Sequence, residues 1–260
     1  MSYKIFPAHM GGQKGIAHFY EHLQQHHSIR MVVSNDNATG STGYPVEPIL
    51  FANHRMGWNL LRLGKLRKII KKHRVDAIIA EHSYTGWIGW LLKKWTGVPF
   101  MIHSHNIEAS RFRQMGKRVW KAYLNYERWI HRKGDFSFFK TEEEKSFALR
   151  SFSLPPAKCA VIPYGIKKIR RVANAEQELR QQYGIKNRYI FYFNGTLDYA
   201  PNQQAVERLI DNINPQLKKA GIDFIILISG KHLPSLLCKK IETAETIRYL
   251  QFVKDVDLLY

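Results

Sequence analysis

The segment Phe100-Met-Ile-His-Ser-His-Asn-Ile-Glu108 places four side chains able to donate, accept and titrate directly after a short apolar run. They are His103, His105, Asn106 and Glu108. The run, with Pro99 before it and Arg111 after the cluster, reads as a buried parallel strand whose carboxyl end opens into a loop. Ligands of open α/β sheets bind at that edge. A lone histidine there is more often a hydrogen-bonded core residue. Two histidines, an amide and a carboxylate within six positions point instead to a ligand-handling cluster. Zinc is not expected, because the His-x-His spacing has no companion Cys/His pair elsewhere.

Further clusters follow the same plan. Glu81-His-Ser-Tyr84 ends the apolar run at 76–80. Met10-Gly-Gly-Gln-Lys-Gly15 lies between a candidate strand at 4–6 and a helical run at 16–26, and a glycine turn entering a helix offers backbone N–H groups to an anion. Asn194-Gly-Thr-Leu-Asp-Tyr-Ala-Pro-Asn202 repeats this after an apolar run at 188–193, with Pro201 and Asn202 suited to a helix start near Gln203.

These clusters need a scaffold of alternating strands and helices. Strands are expected at 29–33, 46–51, 76–80, 100–103, 136–139 and 159–162, with a long polar loop at 34–43 after the first of them. Helices are expected at 58–73, 86–95 and from the cap Thr141 to Arg150. The first of these has Leu60, Leu61, Leu63, Leu66, Ile69 and Ile70 as its apolar stripe against a strongly basic back. Pro163-Tyr-Gly165 opens an interdomain crossing at 163–172, followed by a helix at 173–183 and strands at 188–193, 223–229 and 247–253. The pattern is α/β with parallel sheets, divided into domains 1–165 and 166–260. Three strands leave an apolar sheet edge uncovered, so the second domain is expected to be incomplete. Asp255-Val-Asp257 reads as the cap of a last helix rather than as a manganese-binding pair.

Composition narrows the function. The chain of 260 residues is 45% apolar, as globular proteins are, and has no apolar run long enough to span a bilayer. Its first residues lack the charged and apolar regions of a signal peptide, which leads us to expect a cytoplasmic protein with Cys159 and Cys238 as reduced thiols. Forty basic residues against 21 acidic ones, a formal +19, call for an anionic partner. Between 111 and 133 cations alternate with aromatics, and Arg113, Lys117, Arg118, Trp120 and Lys121 are its candidate contacts to anionic lipid. The competing reading of that segment is a domain-packing helix with a solvated basic face. Nucleic acid is the other anionic partner such a charge allows, but no zinc finger, RNA-recognition signature or helix-turn-helix is present.

In order and spacing, Gly11-Gly12-Gln13, His105-Asn106-Ile107-Glu108, Thr141-Glu142, Ile162-Pro163-Tyr164-Gly165 and the loop Gly195 to Asn202 resemble the retaining family 4 glycosyltransferases of the GT-B fold. The resemblance implies two Rossmann-like β/α/β domains facing a cleft, an acceptor-side domain first and a nucleotide-sugar-side domain second. It makes His105 the catalytic contact to the transferred sugar. Gly11, Gly12, Gly195, Thr196 and Asn202 would serve the donor, with Lys231 as a candidate for neutralising phosphate. Gln13, Glu81, His82, Tyr84, His103, Asn106, Glu108 and Arg111 would line the acceptor side. The substrates implied are a nucleotide sugar and a lipid-linked or polysaccharide acceptor at the inner face of the plasma membrane, with no cofactor and no metal.

Two departures temper these expectations. The loop from Gly195 to Asn202 lacks the Arg and Lys that many relatives carry there, and the family's Glu-x7-Glu segment is not among these residues. The 260 residues alone are therefore expected to transfer sugar poorly, and a non-catalytic remnant or interaction subunit is the further alternative.

Overall fold

Every ladder in the computed structural model, which describes residues 1–38, 40, 42–165 and 174–253, is parallel. The chain divides into two units, Met1–Gly165 and Ile166–Tyr260.

In the first unit β1 (Met31–Ser34) pairs with β2 (Val46–Leu50), and β3 (Ile78–Glu81), β4 (Phe100–His103), β5 (Phe136–Phe139) and β6 (Cys159–Val161) form a second sheet in that order. The helices are α1 (Gly11–Leu23), α2 (Leu63–Lys72), α3 (Gly86–Thr96), α4 (Glu108–Gln114), α5 (Trp120–Lys133) and α6 (Glu142–Ser151). Two glycines let α3 press inward. A Cβ at Gly89 would lie 2.3 Å from the Phe100 ring, and one at Gly86 would lie 2.5 Å from Ile130. Phe100, Ile102, Ile88, Leu92 and Ile130 are fully buried there, each contributing about 1.5–3 kcal/mol of transfer free energy. Thr141 caps α6 as expected, its hydroxyl accepting the Glu144 N–H at 3.2 Å.

The differences from the sequence expectations have local causes. Residues 4–6 form no strand, because Asn37 takes over their backbone. Its amide oxygen accepts the N–H groups of Ile5 and Phe6 at 2.8 Å each, and its nitrogen donates to the carbonyls of Tyr3 and Ser34. The polar loop after β1 thus supplies a structural clamp. Helix α1 starts at Gly11 rather than at 16, since the Gln13 side chain accepts the N–H groups of His9 and Met10 and closes the first turn there. Residues Asn53–Arg62 form a 3₁₀ helix, whose three residues per turn break the α-helical stripe. Leu60 and Leu61 are consequently exposed, and burial resumes only at Leu66 and Ile70 of α2.

The second unit holds β7 (Tyr189–Asn194), β8 (Phe224–Ser229) and β9 (Ile247–Tyr249) in that order, with α7 (Ala175–Tyr183), α8 (Ala200–Arg208), α9 (Asn214–Lys219) and α10 (Ser235–Glu242). The central strand β8 is buried along its whole length, whereas Tyr189 and Phe191 of the edge strand β7 are exposed. Residues 166–172 of the expected crossing, Asp255-Val-Asp257 and the helix expected after it lie outside the described residues.

Candidate active site

The register of the first unit's larger sheet sets Glu81 of β3 beside His103 of β4, both at carboxyl ends. Two residues later the chain brings His105 over the same carboxylate. All three side chains are almost wholly buried. Glu81 Oε2 accepts the Nε2–H of His105 at 2.5 Å, while Oε1 accepts the Nδ1–H of His103 at 3.1 Å and the Tyr20 hydroxyl of α1 at 2.6 Å.

The outer ring nitrogens are also occupied. Lys140 Nζ donates to His103 Nε2 at 2.7 Å, and the Tyr164 hydroxyl donates to His105 Nδ1 at 3.1 Å. These tautomers follow from the carboxylate, which has no proton to give. Burial alone would push Glu81 up, but the hydrogen bonds and charge of His103 and His105 hold it well below the usual range. Burial pushes His105 down to about 4 against the pull of Glu81, so at neutral pH its ring is uncharged. Lys140 is also lowered by burial, against the charges of Glu81 and Glu144. The result is one hydrogen-bonded chain, Tyr164–His105–Glu81–His103–Lys140, of which Tyr164 is the exposed end.

Helix α1 closes this chain from the side. Phe19 packs on the His103 ring at 4.9 Å, and a Cβ on Gly15 would fall 2.9 Å from the Tyr164 ring, so glycine is what admits that ring. Gly11 stands one helical turn before Gly15 on the same face, and the space around both Gly11 and Gly12 is open.

Glu81, His103 and His105 are, among the described residues, the one group whose ligand-type atoms would suit a metal ion, lying within 4.8 Å of one another. Sequence spacing missed this group because its third member sits on another strand. Hydrogen bonds already engage all the atoms concerned, and an amine lies against His103, so the arrangement reads as a proton-ordered network rather than as a cation site.

A second layer borders the network. His82 has φ 62° and ψ 161°, a region nearly reserved for glycine that costs on the order of 1–3 kcal/mol. That conformation lays its ring 4.4 Å from His105 and 5.6 Å from Tyr84. His82 Nδ1 faces Glu108 Oε1 at 3.4 Å, and Arg111 bonds the other Glu108 oxygen at 3.3 Å. Burial would raise Glu108, but His82, Tyr84 and Arg111 outweigh it and keep the carboxyl below its ordinary value. Beneath lies Glu127, the one acid between 111 and 133. It accepts the N–H groups of Glu108 and Ala109 at the start of α4, at 3.1 and 2.8 Å. Only the distance in sequence between α4 and α5 hid this cap.

In the second unit the loop after β7 is drawn tight. A Cβ on Gly195 would meet Asn202 Nδ2 at 2.8 Å, and that nitrogen donates to the Thr196 carbonyl at 2.9 Å. Gly230, at φ 146°, passes so near the Gly195 carbonyl that no side chain fits between them. The loop delivers the chain into α8, whose first turn closes on the Tyr199 carbonyl, which accepts the N–H groups of Asn202 and Gln203 at 2.9 and 3.1 Å, so that the positive end of the helix dipole lies at the loop.

Residues 10–168 match the family described as Glycosyltransferase Family 4. The chain belongs to that family. Three solved structures share the fold of this glycosyltransferase. Sucrose-phosphate synthase from Thermosynechococcus elongatus is 14% identical with a TM-score of 0.72, covering 99% of this chain and 71% of its own. A glycosyltransferase from Rickettsia africae is 16% identical with a TM-score of 0.68, covering 100% and 70%. Anabaena HepE in complex with UDP-glucose is 15% identical with a TM-score of 0.63, covering 99% and 70%. No curated protein sequence matches the chain. The glycosyltransferase has the GT-B type of fold, built from Rossmann-like α/β units.

Within this glycosyltransferase the residues singled out from sequence separate into groups. His82, Tyr84, His105, Glu108 and Arg111 come together with partly open surfaces at His82 and Arg111, and Asn106 lies half-buried in the same loop. Glu81 and His103, expected to meet an acceptor, are 1% exposed and lie behind His105, where they orient it. Gln13 is engaged as the α1 cap. Lys140, Tyr20 and Tyr164 complete the network, and their types alone gave no signal of it. Lys231 holds its ammonium 4.1 Å from the Phe252 ring. Arg113, Lys117, Arg118 and Lys121 are exposed about the junction of α4 and α5, with Arg113 and Lys121 over the Trp120 ring. Tyr126 and Trp129 of the same segment instead pack on the core, as a domain-packing helix does.

Proposed function

We propose that this glycosyltransferase moves a sugar from a nucleotide-sugar donor to a lipid-linked or polysaccharide acceptor, with retention of configuration, at an anionic membrane surface. The observation that carries the reading is the chain from Glu81 through His105 to Tyr164. It holds an uncharged imidazole in one orientation next to the ring of His82, whose backbone is held at φ 62°. A neutral ring so fixed can bond a sugar hydroxyl and tolerate the positive charge that grows on a departing glycosyl group without adding its own.

The donor's diphosphate would be met in the second unit at the positive end of the α8 dipole, with Gly195 giving the close approach, Thr196 and Asn202 beside it, and Lys231 adding charge. Helix-terminal N–H groups can stabilise a leaving phosphate without a metal ion. Anabaena HepE, which shares the fold, is known in complex with UDP-glucose. The acceptor would lie on the first unit, near Tyr84, Asn106, Glu108 and Arg111.

Membrane attachment is supported by Arg113, Lys117, Arg118, Trp120 and Lys121, and by Trp58, Leu60 and Leu61, which are exposed beside the basic face of α2. Among the described residues no helix is long and apolar enough to cross a membrane, so the attachment proposed is peripheral, at the inner face.

Calorimetric titration of the chain with UDP- and GDP-linked hexoses, with and without EDTA, tests the donor assignment. Saturable binding that EDTA leaves unchanged is expected. Failure of every nucleotide sugar to bind, or binding that EDTA abolishes, would remove it.

A further inference from the structure

Helix α5 grips both elements that carry the outer side of the site, the turn Ser83–Thr85 after β3 and the start of α4. Ser83 is buried and held from three sides. Its carbonyl accepts the Tyr126 hydroxyl at 2.8 Å, and its own hydroxyl stands between the Tyr123 hydroxyl at 3.0 Å and Glu127 Oε1 at 3.2 Å. A backbone conformation like that of His82 persists only where its surroundings over-determine it. Here α5 supplies that constraint on one side, and the His103 carbonyl, accepting the His82 N–H at 2.9 Å, supplies it on the other.

The same carboxyl group starts α4. The residue before that helix, Ile107, offers no side-chain cap, and Glu127 takes the two leading N–H groups, Glu108 on Oε1 and Ala109 on Oε2. Glu127 Oε1 therefore serves Ser83 and Glu108 at once. One buried atom ties the neighbour of His82 to the residue whose carboxylate His82 faces at 3.4 Å.

Given that the acceptor is met at Glu108 and Arg111, as proposed above, we infer that Glu127 is a positioning residue for it: bridging Ser83 to α4, its carboxylate sets the separation of His82 from Glu108, and its protonation loosens that arrangement. The reason is the number of donors it receives. As an anion it accepts the Ser83 O–H and the N–H groups of Glu108 and Ala109 together, while Tyr123 donates to Ser83 Oγ. A proton on Oε1 reverses the Ser83 bond. The acid O–H then donates to Ser83 Oγ, the serine hydrogen turns to the Tyr123 oxygen, and the Glu108 N–H loses its acceptor.

This exchange falls near neutral pH, since burial raises Glu127 to about 7. The groups facing it hold their charge there. Glu108 from α4 lies below its ordinary value, and burial keeps the phenols of Tyr84 from the turn and of Tyr123 and Tyr126 from α5 well above theirs. Grip and stability consequently run in opposite directions. The stability contributed by the Glu127 proton is lost as pH rises from about 4.5 to 7, whereas the hold on His82 and Glu108 is gained as pH passes through about 7. A purely structural Glu127 would make acceptor use follow stability instead.

The test compares the full chain with Glu127→Gln and with Ser83→Ala, which cuts the bridge and leaves the carboxyl group in place. Cross-relaxation between the His82 ring and the Glu108 γ-protons, measured by NMR, is expected to be stronger at pH 8 than at pH 6 in the parent and weak at both in the two variants. With octyl glucoside as acceptor and the nucleotide sugar that binds in calorimetry as donor, the parent's KM for octyl glucoside should fall about fivefold over the same interval at nearly constant kcat, and neither variant should show the fall. Equal cross-relaxation at the two pH values in the parent, a pH response retained in both variants, or a KM that rises with pH would overturn the inference. Absence of transfer to octyl glucoside counts against the proposed acceptor, and the cross-relaxation alone then decides the role of Glu127.

Discussion

His105 Nε2 lies 2.5 Å from Glu81 Oε2, and neither atom is reachable by solvent. The carboxylate thereby decides which imidazole nitrogen carries the proton.

Glu81→Gln keeps the shape but removes the charge and one acceptor. Loss of a charged hydrogen bond costs about 1.5–3 kcal/mol, so turnover is expected to fall about 10- to 100-fold. Nucleotide-sugar affinity measured by calorimetry should change little, as the loop at Gly195 is in the other unit. A parallel collapse of donor affinity would contradict this division.

Tyr164→Phe tests the exposed end. The hydroxyl occupies His105 Nδ1, the nitrogen a ligand hydroxyl would need, while the ring 4.6 Å from the Lys140 ammonium is retained by phenylalanine. Removing this competitor should lower KM about fivefold with kcat nearly unchanged, the worth of one neutral hydrogen bond. A large loss of kcat would instead make the hydroxyl a participant in the reaction.

Glu127 should make the first unit sensitive to pH. Burial raises its carboxyl to about 7, only partly opposed by the N–H groups of Ala109 and Glu108 and the Ser83 hydroxyl. The native state therefore holds this proton more tightly than the unfolded chain, and stability falls as pH rises from about 4.5 to 7. The loss reaches at most about 3 kcal/mol. Urea midpoints followed by tryptophan fluorescence should show Glu127→Gln gaining stability relative to the parent between pH 5 and 8, on top of the opposite trend that the depressed His105 gives both proteins. An unchanged pH dependence in the variant would reassign the effect.

The surface at the junction of α4 and α5 should bind anionic vesicles. Replacing Arg113, Lys117, Arg118 and Lys121 together by glutamine is expected to reduce flotation with phosphatidylserine liposomes at least tenfold, at about 1 kcal/mol per cation near the surface. Added salt should mimic it. Leu61→Asp examines the exposed 3₁₀ segment separately. Equal flotation of parent and quadruple variant would leave the membrane proposal without its electrostatic part.

Much of the architecture is local and was open to sequence reading. Short apolar runs gave β4, β5 and β8, Thr141 announced the start of α6, and the polar residues after Phe100-Met-Ile marked the strand end that carries His105. Local rules misled where a neighbour intervened: Asn37 took the backbone of Ile5 and Phe6, and 3₁₀ winding turned Leu60 and Leu61 outward.

The chemistry of the site was decided only by tertiary structure. Glu81, His103 and His105 were each visible as types, but no periodicity links residues separated by 22 or 24 positions. Parallel register brings Glu81 beside His103, and burial then makes a shared proton order cheaper than separate solvation. Sequence thus determined which groups reach the strand ends, because hydrophobic pattern and chain stiffness act over a few residues. Pairing across strands determined which of them hold protons and which stay open to a ligand, because that depends on distances the chain sets only when it folds.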